Sequence, residues 1–531
     1  MELGIDFGTT RIVVAAADRG NYPLAGFETP DGQIRECFPP LVAVRDQTRL
    51  FGWQAAAVQG NREWTVLRSL KRRLKSAGPA SMIDLGGREM PLMELLVELL
   101  VALRQSLRRS STLNPDRGEA LLVTIGVPAN ANSNQRFLTA EAFRSAGFQV
   151  LGMLNEPSAA SIEYGHRRRA ERKGQPRHSL LVYDLGGGTF DASLVDLVED
   201  THRVVAAAGL SDVGGDDFDE ILAGLALAAA PGPAAEREPL TPAEQFRLLE
   251  ECRERKESLN PNTRKLTIDL DRVREGWGEV TVPVGAFYEG CRPLIDRTAR
   301  VVEQLLASAD GPIETLYVTG GGSELPAVAR VLKESFGRSV RRSSYMRSAT
   351  AIGLAIGADA RSGYRLRDRF TRHFGVWRET EHGRKVAFDV LFPCGLGLPA
   401  SGAPAHRVLR RYAPAHNVGC FRYAEASHLD ADGEPVGDLT FWDEIRFPFD
   451  PRLREVADLS LTPVERSGEA AGCQVEEEYC CDAGGMLKVR IANRSAGYSR
   501  EFALGRWSES PQPPAGLAAA RRHRLERRNA K

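Results

Sequence analysis

The sequence predicts an α/β fold over residues 1 to about 360, followed by an all-β module. Three observations carry that expectation. One glycine hairpin occurs twice at the same place after an apolar strand. Strands and helices alternate between and beyond the two copies, and from about Lys385 the pattern changes to apolar–polar alternation.

The more complete hairpin is Leu181–Leu197, LVYDLGGGTFDASLVDL. An apolar strand ends at Asp184, and Gly186, Gly187 and Gly188 make a turn whose backbone N–H groups can close around an anion. Thr189 adds a hydroxyl, and Asp184 and Asp191 are placed to hold a hydrated Mg²⁺. Alone, this run also reads as a flexible turn in a chain with 51 glycines. The chain opens, however, with LGIDFGTTRIVVAAA (Leu3–Ala17), repeating the order with Asp6, Gly8, Thr9 and Thr10. Two copies of a phosphate hairpin suggest a duplicated fold with nucleotide clamped between two lobes. A third run, LYVTGGGSELPAVARVL (Leu316–Leu332), takes a strand into Gly320, Gly321 and Gly322, and Pro326 opens a helix. That is a favourable setting for a further phosphate.

Between these runs, Glu28–Phe51 reads as short strands and turns, and Trp64–Lys75 as a basic helical segment carrying Lys71. Leucines at helical spacing mark Met90–Arg108, and Leu121–Pro128 is a buried strand followed by a helix around Gln135–Ala146. Gly152–Gly165, GMLNEPSAASIEYG, feeds a strand into Asn155, Glu156 and Pro157 at a helix start. Pro231–Pro242 is a linker, and Ala243–Leu259 an amphipathic helix. The end, Pro511–Lys531, is Pro-rich and then basic, a mobile tail.

Bulk properties narrow the function. With 531 residues, two or three domains are expected. Seventy basic residues balance 70 acidic ones, which argues against nucleic acid or an anionic membrane as partner. No signal peptide or membrane-spanning run is visible, so a cytoplasmic protein is expected. Eight scattered cysteines without a C-x-x-C pair argue against zinc.

These motifs resemble the 70-kilodalton heat-shock chaperone family of the DnaK type. Residues 4–17 and 181–197 are similar to its two phosphate motifs, 153–165 and 348–360 to its connecting motifs, and 316–332 to its adenosine motif. Gly209–Leu222, GLSDVGGDDFDEIL, is similar to the segment after the second hairpin. The likeness covers essentially the first 360 residues. It implies an actin-like two-lobed ATPase domain over 1–360, a linker at 361–372, a β-sandwich peptide-binding domain over 373–505, and a tail at 506–531. The implied activity is slow ATP hydrolysis with Mg²⁺, coupled to binding of unfolded or extended polypeptide, with a co-chaperone or nucleotide-exchange partner.

The resemblance also implies residue roles. Asp6 and Asp184 would hold Mg²⁺ through its waters. Gly8, Thr9, Thr10, Gly186, Gly187 and Gly188 would grip the phosphates, and Gly214, Gly215, Lys256, Gly320, Gly321 and Gly322 would complete the nucleotide contacts. Lys71 falls at the catalytic lysine, and Glu156, Thr189 and Asp191 serve the reacting phosphate and its water. Pro128 and Arg136 match a proline–arginine relay. Departures cluster in the adenosine pocket. Glu324 replaces an arginine that stacks on the base, Arg253 a glutamate, Asn260 a serine and Arg347 an aspartate, so weak base discrimination is expected.

The linker region, YRLRDRFTRHFGVW (Tyr364–Trp377), is basic where the family has leucines. Only Leu366, Phe370, Phe374 and Val376 are available for apolar docking, so coupling is expected to be weak and salt-sensitive. The sandwich likeness is clearest in Val475–Leu504 and weaker in Leu391–Pro399, and no helical lid follows, so peptide exchange is expected to be fast. Two other readings use the same motifs: a small-molecule kinase, and a nucleotide-binding scaffold or filament protein without a chaperone cycle.

Overall fold

The computed structural model describes residues 1–504, except 79–80, 86, 117, 170–176, 231–237, 310, 381–384, 400–401, 443 and 457. The expected tail, and the first part of the expected linker at 231–242, lie outside the described residues. Among the described residues no helix is long and apolar enough to cross a membrane. The chain divides into two compact units. One comprises Met1–Leu74, Met82–Ala131 and Thr139–Asp368; the other comprises Lys75–Ser81, Asn132–Leu138 and the chain from Arg369 onward.

The first unit is built on two sheets of related order. In one, β1 (Glu2–Phe7) is flanked by its antiparallel hairpin partner β2 (Ile12–Ala16) and by parallel β3 (Leu122–Val127), with β4 (Gln149–Asn155) beyond. In the other, β5 (His178–Leu185) is flanked by antiparallel β6 (Phe190–Val198), with β7 (Thr201–Leu210) beyond it. On the other side of β5 come parallel β8 (Thr315–Thr319) and β9 (Val340–Arg342), and β10 (Arg365–Arg367) closes the far edge against β7. The order β2-β1-β3-β4 thus repeats as β6-β5-β8-β9, each glycine hairpin lying beside parallel strands. Buried residues fill β2, β6 and β8, as expected of strands covered on both faces.

The helices that matter here are α1 (Leu70–Arg73), α2 (Glu156–Arg167), α3 (Gly215–Ala229), α4 (Pro242–Glu257), α5 (Pro326–Phe336) and α6 (Ala349–Ala358). The strand-to-helix turns expected at Asn155–Glu156 and at Pro326 are present, as are both hairpins. One expectation fails. Trp64–Lys75 is not one helix: Thr65–Leu67 is a strand, Ser69 takes a left-handed conformation at φ 59°, and only four residues are helical. β-Branched Thr65 and Val66 favour the strand, and charge periodicity alone did not reveal the break.

The second unit contains two facing antiparallel sheets around one core. The first joins β11 (His373–Thr380), β12 (Lys385–Phe392), β14 (Val418–Leu429), β15 (Pro435–Phe441) and β16 (Ile445–Pro448). The second joins β13 (His406–Tyr412), β17 (Val475–Cys481), β18 (Leu487–Asn493) and β19 (Tyr498–Leu504). Phe374, Val376, Phe421 and Tyr423 of one sheet meet Tyr479, Val489 and Ile491 of the other. The core also holds an ion pair between the partly exposed Arg378 and the buried Glu477, at 2.6 Å. Arg372 pairs with Asp438 at 3.1 Å and lies 3.5 Å from the buried Glu425, which accepts the Ser133 N–H at 3.1 Å.

The four apolar residues of the basic run therefore part company. Leu366 packs among the cores of the first unit, whereas Phe374 and Val376 are sandwich core and Phe370 packs against it. The Phe370 ring stacks on Phe392 at 5.4 Å with only 10° between planes. Phe370→Asp is expected to destabilise the second unit by about 2–3 kcal/mol, since a charge would replace a packed ring. In thermal unfolding of the full chain its transition should drop by several degrees, and an unchanged transition would contradict the packing.

Candidate active site

Asp6 sits one residue before the end of β1 and Asp184 one residue before the end of β5, each where its strand turns into a glycine hairpin. In the second hairpin Asp184 stands directly across from Asp191 in the ladder. The turn is closed by Gly186 N–H donating to the Thr189 carbonyl at 2.9 Å. Its outer carbonyls cap α3: Gly215 N–H donates to Gly186 O at 3.0 Å and Asp216 N–H to Gly187 O at 2.7 Å.

The three glycine runs converge, and they do so because they lack side chains. A Cβ on Gly187 would come within 2.6 Å of the Thr10 methyl, so the two hairpins could not approach with any larger residue. Gly320, at φ +87°, would drive a Cβ to 2.3 Å from the Leu185 carbonyl. Gly188 abuts Thr9, and Gly214 abuts the Gly187 backbone. These contacts frame a cavity lined by Asp6, Gly8, Thr9, Thr10, Lys71, Glu156, Asp184, Gly186, Gly187 and Thr189. Gly215, Lys256, Gly320, Gly321 and Gly322 line it as well. Gly188, Gly214 and Asp191 stand just behind the wall.

At its floor Lys71 donates from Nζ to Glu156 Oε1 at 2.5 Å, and both residues are buried. Asp191 accepts the Ala129 N–H at 2.8 Å and a hydrogen bond from Thr189. Burial and the nearby Glu156 push the Asp6 carboxyl up to about 7, against the pull of Lys71. The same causes raise Asp191 to about 7. Asp184 is raised well above the usual range, first by burial and then by Glu156, Asp6 and Asp191. For Lys71, burial opposes the charge, but Glu156 and Asp6 outweigh it and hold the ammonium. One lysine thus faces four carboxylates. A divalent cation fits that donor chemistry, since it would restore the ionised form of Asp6 and Asp184. Among the described residues no group of three or more Asp, Glu, His or Cys side chains is placed to hold a metal ion directly.

Several organising residues were missed in the sequence. Arg68 bridges Glu250 at 2.6 Å, Asp216 at 3.0 Å and Asp219 at 3.3 Å. Ser69 donates to Asp216 at 2.5 Å, and Arg72 pairs with Asp217 at 3.0 Å. This clasp fixes the turn around α1 to the start of α3 and aims Lys71 the other way, into the cavity. Lys256 donates to the Gly215 carbonyl at 2.6 Å and pairs with Asp219 at 2.6 Å. The opposite charge of RSLKRR and GGDDFD was a visible signal, but nothing local paired runs so distant in the chain.

At the other end of the cavity lie Arg253, Glu257, Leu259, Glu324 and Arg347. Arg347 Nε donates to both Glu324 oxygens, at 2.9 and 3.0 Å. Arg11 reaches Glu257 at 2.5 Å, and Arg347 lies 3.4 Å from it. Burial opposes ionisation of Glu257, but Arg11, Arg253 and Arg347 lower it to about 2. Asn260 does not line the cavity, and Arg136 belongs to the second unit.

Comparison with known proteins now decides the family. A family profile described as "Hsp70 protein" matches residues 111–371. A "Chaperone protein HscA homolog" of Bordetella petrii is 31% identical over 527 residues, covering 94% of this chain and 77% of that protein. The chain belongs to the Hsp70 family. Another protein of that name, from Pseudomonas fluorescens, is 29% identical and is covered over 76% of its length. For the one from Pseudomonas putida, 31% identical, the alignment covers 77% of this Hsp70 chain and 63% of the relative, just under two thirds. The resemblance read from the paired hairpins and NEPSAA was therefore correct.

Two outcomes follow from this geometry. A carboxyl raised above its unfolded value adds stability that is present below the unfolded pKa and is lost as pH rises through the folded one. For Asp6 and Asp191 that window runs from about 4 to about 7. The thermal midpoint of the nucleotide-free chain should fall between pH 5 and pH 7, and Asp6→Asn should flatten the fall. A midpoint rising over that interval would contradict the assignment. Arg68→Ala, breaking the clasp, should speed release of a fluorescent nucleotide by roughly tenfold or more, since losing one partner of a buried pair is costly. Its single-turnover rate should suffer less than that of Lys71→Ala.

Proposed function

We propose that this Hsp70 chain is an ATP-dependent chaperone, which hydrolyses Mg·ATP in the cavity of an actin-like first unit. On this reading the second unit is a β-sandwich that binds extended polypeptide. The observation that carries the reading is the buried Lys71–Glu156 pair set among Asp6, Asp184 and Asp191, where glycine loops from both hairpins converge. The chaperone names of the relatives support the same reading over a scaffold or filament.

In this account backbone N–H groups of Gly186–Gly188, with Thr9 and Thr10, bind the β- and γ-phosphates of ATP. Asp6 and Asp184 are the residues that would hold Mg²⁺, which would supply charge neutralisation to the phosphates. Lys71 Nζ, fixed by Glu156, faces the charge that develops on the transferred phosphoryl group. Asp191, behind the wall, accepts a hydrogen bond from Thr189 and holds that hydroxyl toward the position of the attacking water. At the nucleoside end, Arg347 offers the guanidinium plane that Glu324 lacks, held by Glu324 itself. That revises the ground on which weak base discrimination was expected. A client polypeptide, a co-chaperone or exchange factor and a cytoplasmic setting belong to the same proposal.

Asp184→Ala and Lys71→Ala are each expected to lower ATP turnover at least a hundredfold, about 3–4 kcal/mol in the barrier, without unfolding the chain. Single-turnover hydrolysis with circular dichroism on the same samples checks this. Near-normal rates in both variants would remove these residues from the mechanism.

A further inference from the structure

The nucleoside end of the cavity is set apart by the hydrogen-bonding side chains it holds. Arg11, Arg253 and Arg347 contribute guanidinium forks there, and Glu257 and Glu324 contribute carboxylates. Among the described residues no Asn or Gln side chain lines the cavity, and Asn260 stands outside it. Purine rings stack alike whatever their substituents, so the polar edges of the base decide which purine such a set prefers.

Adenine sets the N6 donor beside a ring acceptor, N7 on one edge and N1 on the other. One amide side chain, with its own donor and acceptor, matches that mixed pattern. Guanine separates the two kinds of group. Its O6 and N7 are both acceptors, which suits an arginine fork; its N1–H and 2-amino group are both donors, which suits an ionised carboxylate. Against adenine, either charged group would make one bond and meet a like group beside it. The set at this end of the cavity is therefore the guanine set.

The ion pairs say which of these groups have bonds to spare. Arg253 is shared by Glu250 and Glu257, and Arg347 by Glu257 and Glu324, whereas Arg11 pairs with Glu257 alone. Arg11 donates to it from Nη2 at 2.5 Å, and its Nη1 lies beside Gly321 of the third glycine run, 3.5 Å from where a Cβ would stand. Among the carboxylates, Glu257 is held by three arginines and Glu324 by Arg347 only. A carboxylate accepts about four hydrogen bonds, so Glu324 keeps capacity on both oxygens. We infer that this chain takes guanine nucleotides at least as well as adenine nucleotides, Arg11 facing O6 and N7 and Glu324 accepting from N1–H and the 2-amino group. The inference rests on the reading of this cavity as a nucleotide site and extends its substrates from ATP to GTP.

The test is calorimetric titration of the full chain with the Mg²⁺ complexes of ADP, GDP and inosine diphosphate, which differs from GDP only in lacking the 2-amino group. GDP should bind at least as tightly as ADP, and roughly tenfold tighter than inosine diphosphate, because a carboxylate placed for that amino group loses a bond without it. Glu324→Gln should shift the ratio of affinities toward ADP by roughly tenfold, since an amide matches the mixed edge of adenine. Arg11→Ala should weaken GDP more than ADP, and ADP binding by each variant reports that it is folded. The inference is overturned if wild type binds ADP more tightly than GDP, if GDP holds no advantage over inosine diphosphate, or if neither folded variant moves the ratio. If wild type binds none of the three, the reading of the cavity as a nucleotide site falls first, and the inference with it.

Discussion

One buried lysine shared among four carboxylates sets the terms for the first unit. Removing such charges from water costs several kcal/mol each unless they are paired, and Lys71 cannot pair with all of them. Glu156 takes the short contact, leaving Asp6, Asp184 and Asp191 to share what remains. The pocket is therefore a concentration of negative charge that is relieved only by protons or by a cation. Everything around it serves to hold that arrangement: two hairpins that cannot separate without exposing the acids, and a clasp of arginines that locks the segment bearing Lys71.

The duplicated sheet order explains how the acids meet. Each hairpin follows an interior strand with a parallel neighbour on one side, so each delivers its aspartate at the C-terminal end of that strand. Two copies of one solution, facing each other, give a site with two carboxylates and two glycine loops. α2 then adds Glu156 from the strand-to-helix turn at Asn155, and the third glycine run adds the opposite wall.

Much of this was legible because it is local. DLGGGTFD and DFGTT state their hairpins within a few residues, and the glycines that allow close approach are visible as letters. NEPSAA likewise announces a strand-to-helix turn. What was not legible depends on partners distant in the chain. Arg68 reads as one more surface cation until Asp216, Asp219 and Glu250 are brought to it. Arg347 and Glu324, read singly, are two losses from a base pocket, whereas together they form one bidentate pair. The helix expected over Trp64–Lys75 failed for the opposite reason: charge spacing was allowed to outweigh β-branched residues and a left-handed serine.

The short strand β10 has a consequence for solubility. It covers only Thr201–Arg203 of the ten-residue β7, yet it is the last strand of a six-stranded sheet. An open sheet edge is a template for any extended chain, including another copy of the same protein. Arg365 and Arg367 are exposed on β10, with Leu366 turned inward, so the border of the sheet carries charge where a further strand would have to dock. The basic run that looks poor as an apolar linker thereby works as a guard against edge-to-edge aggregation.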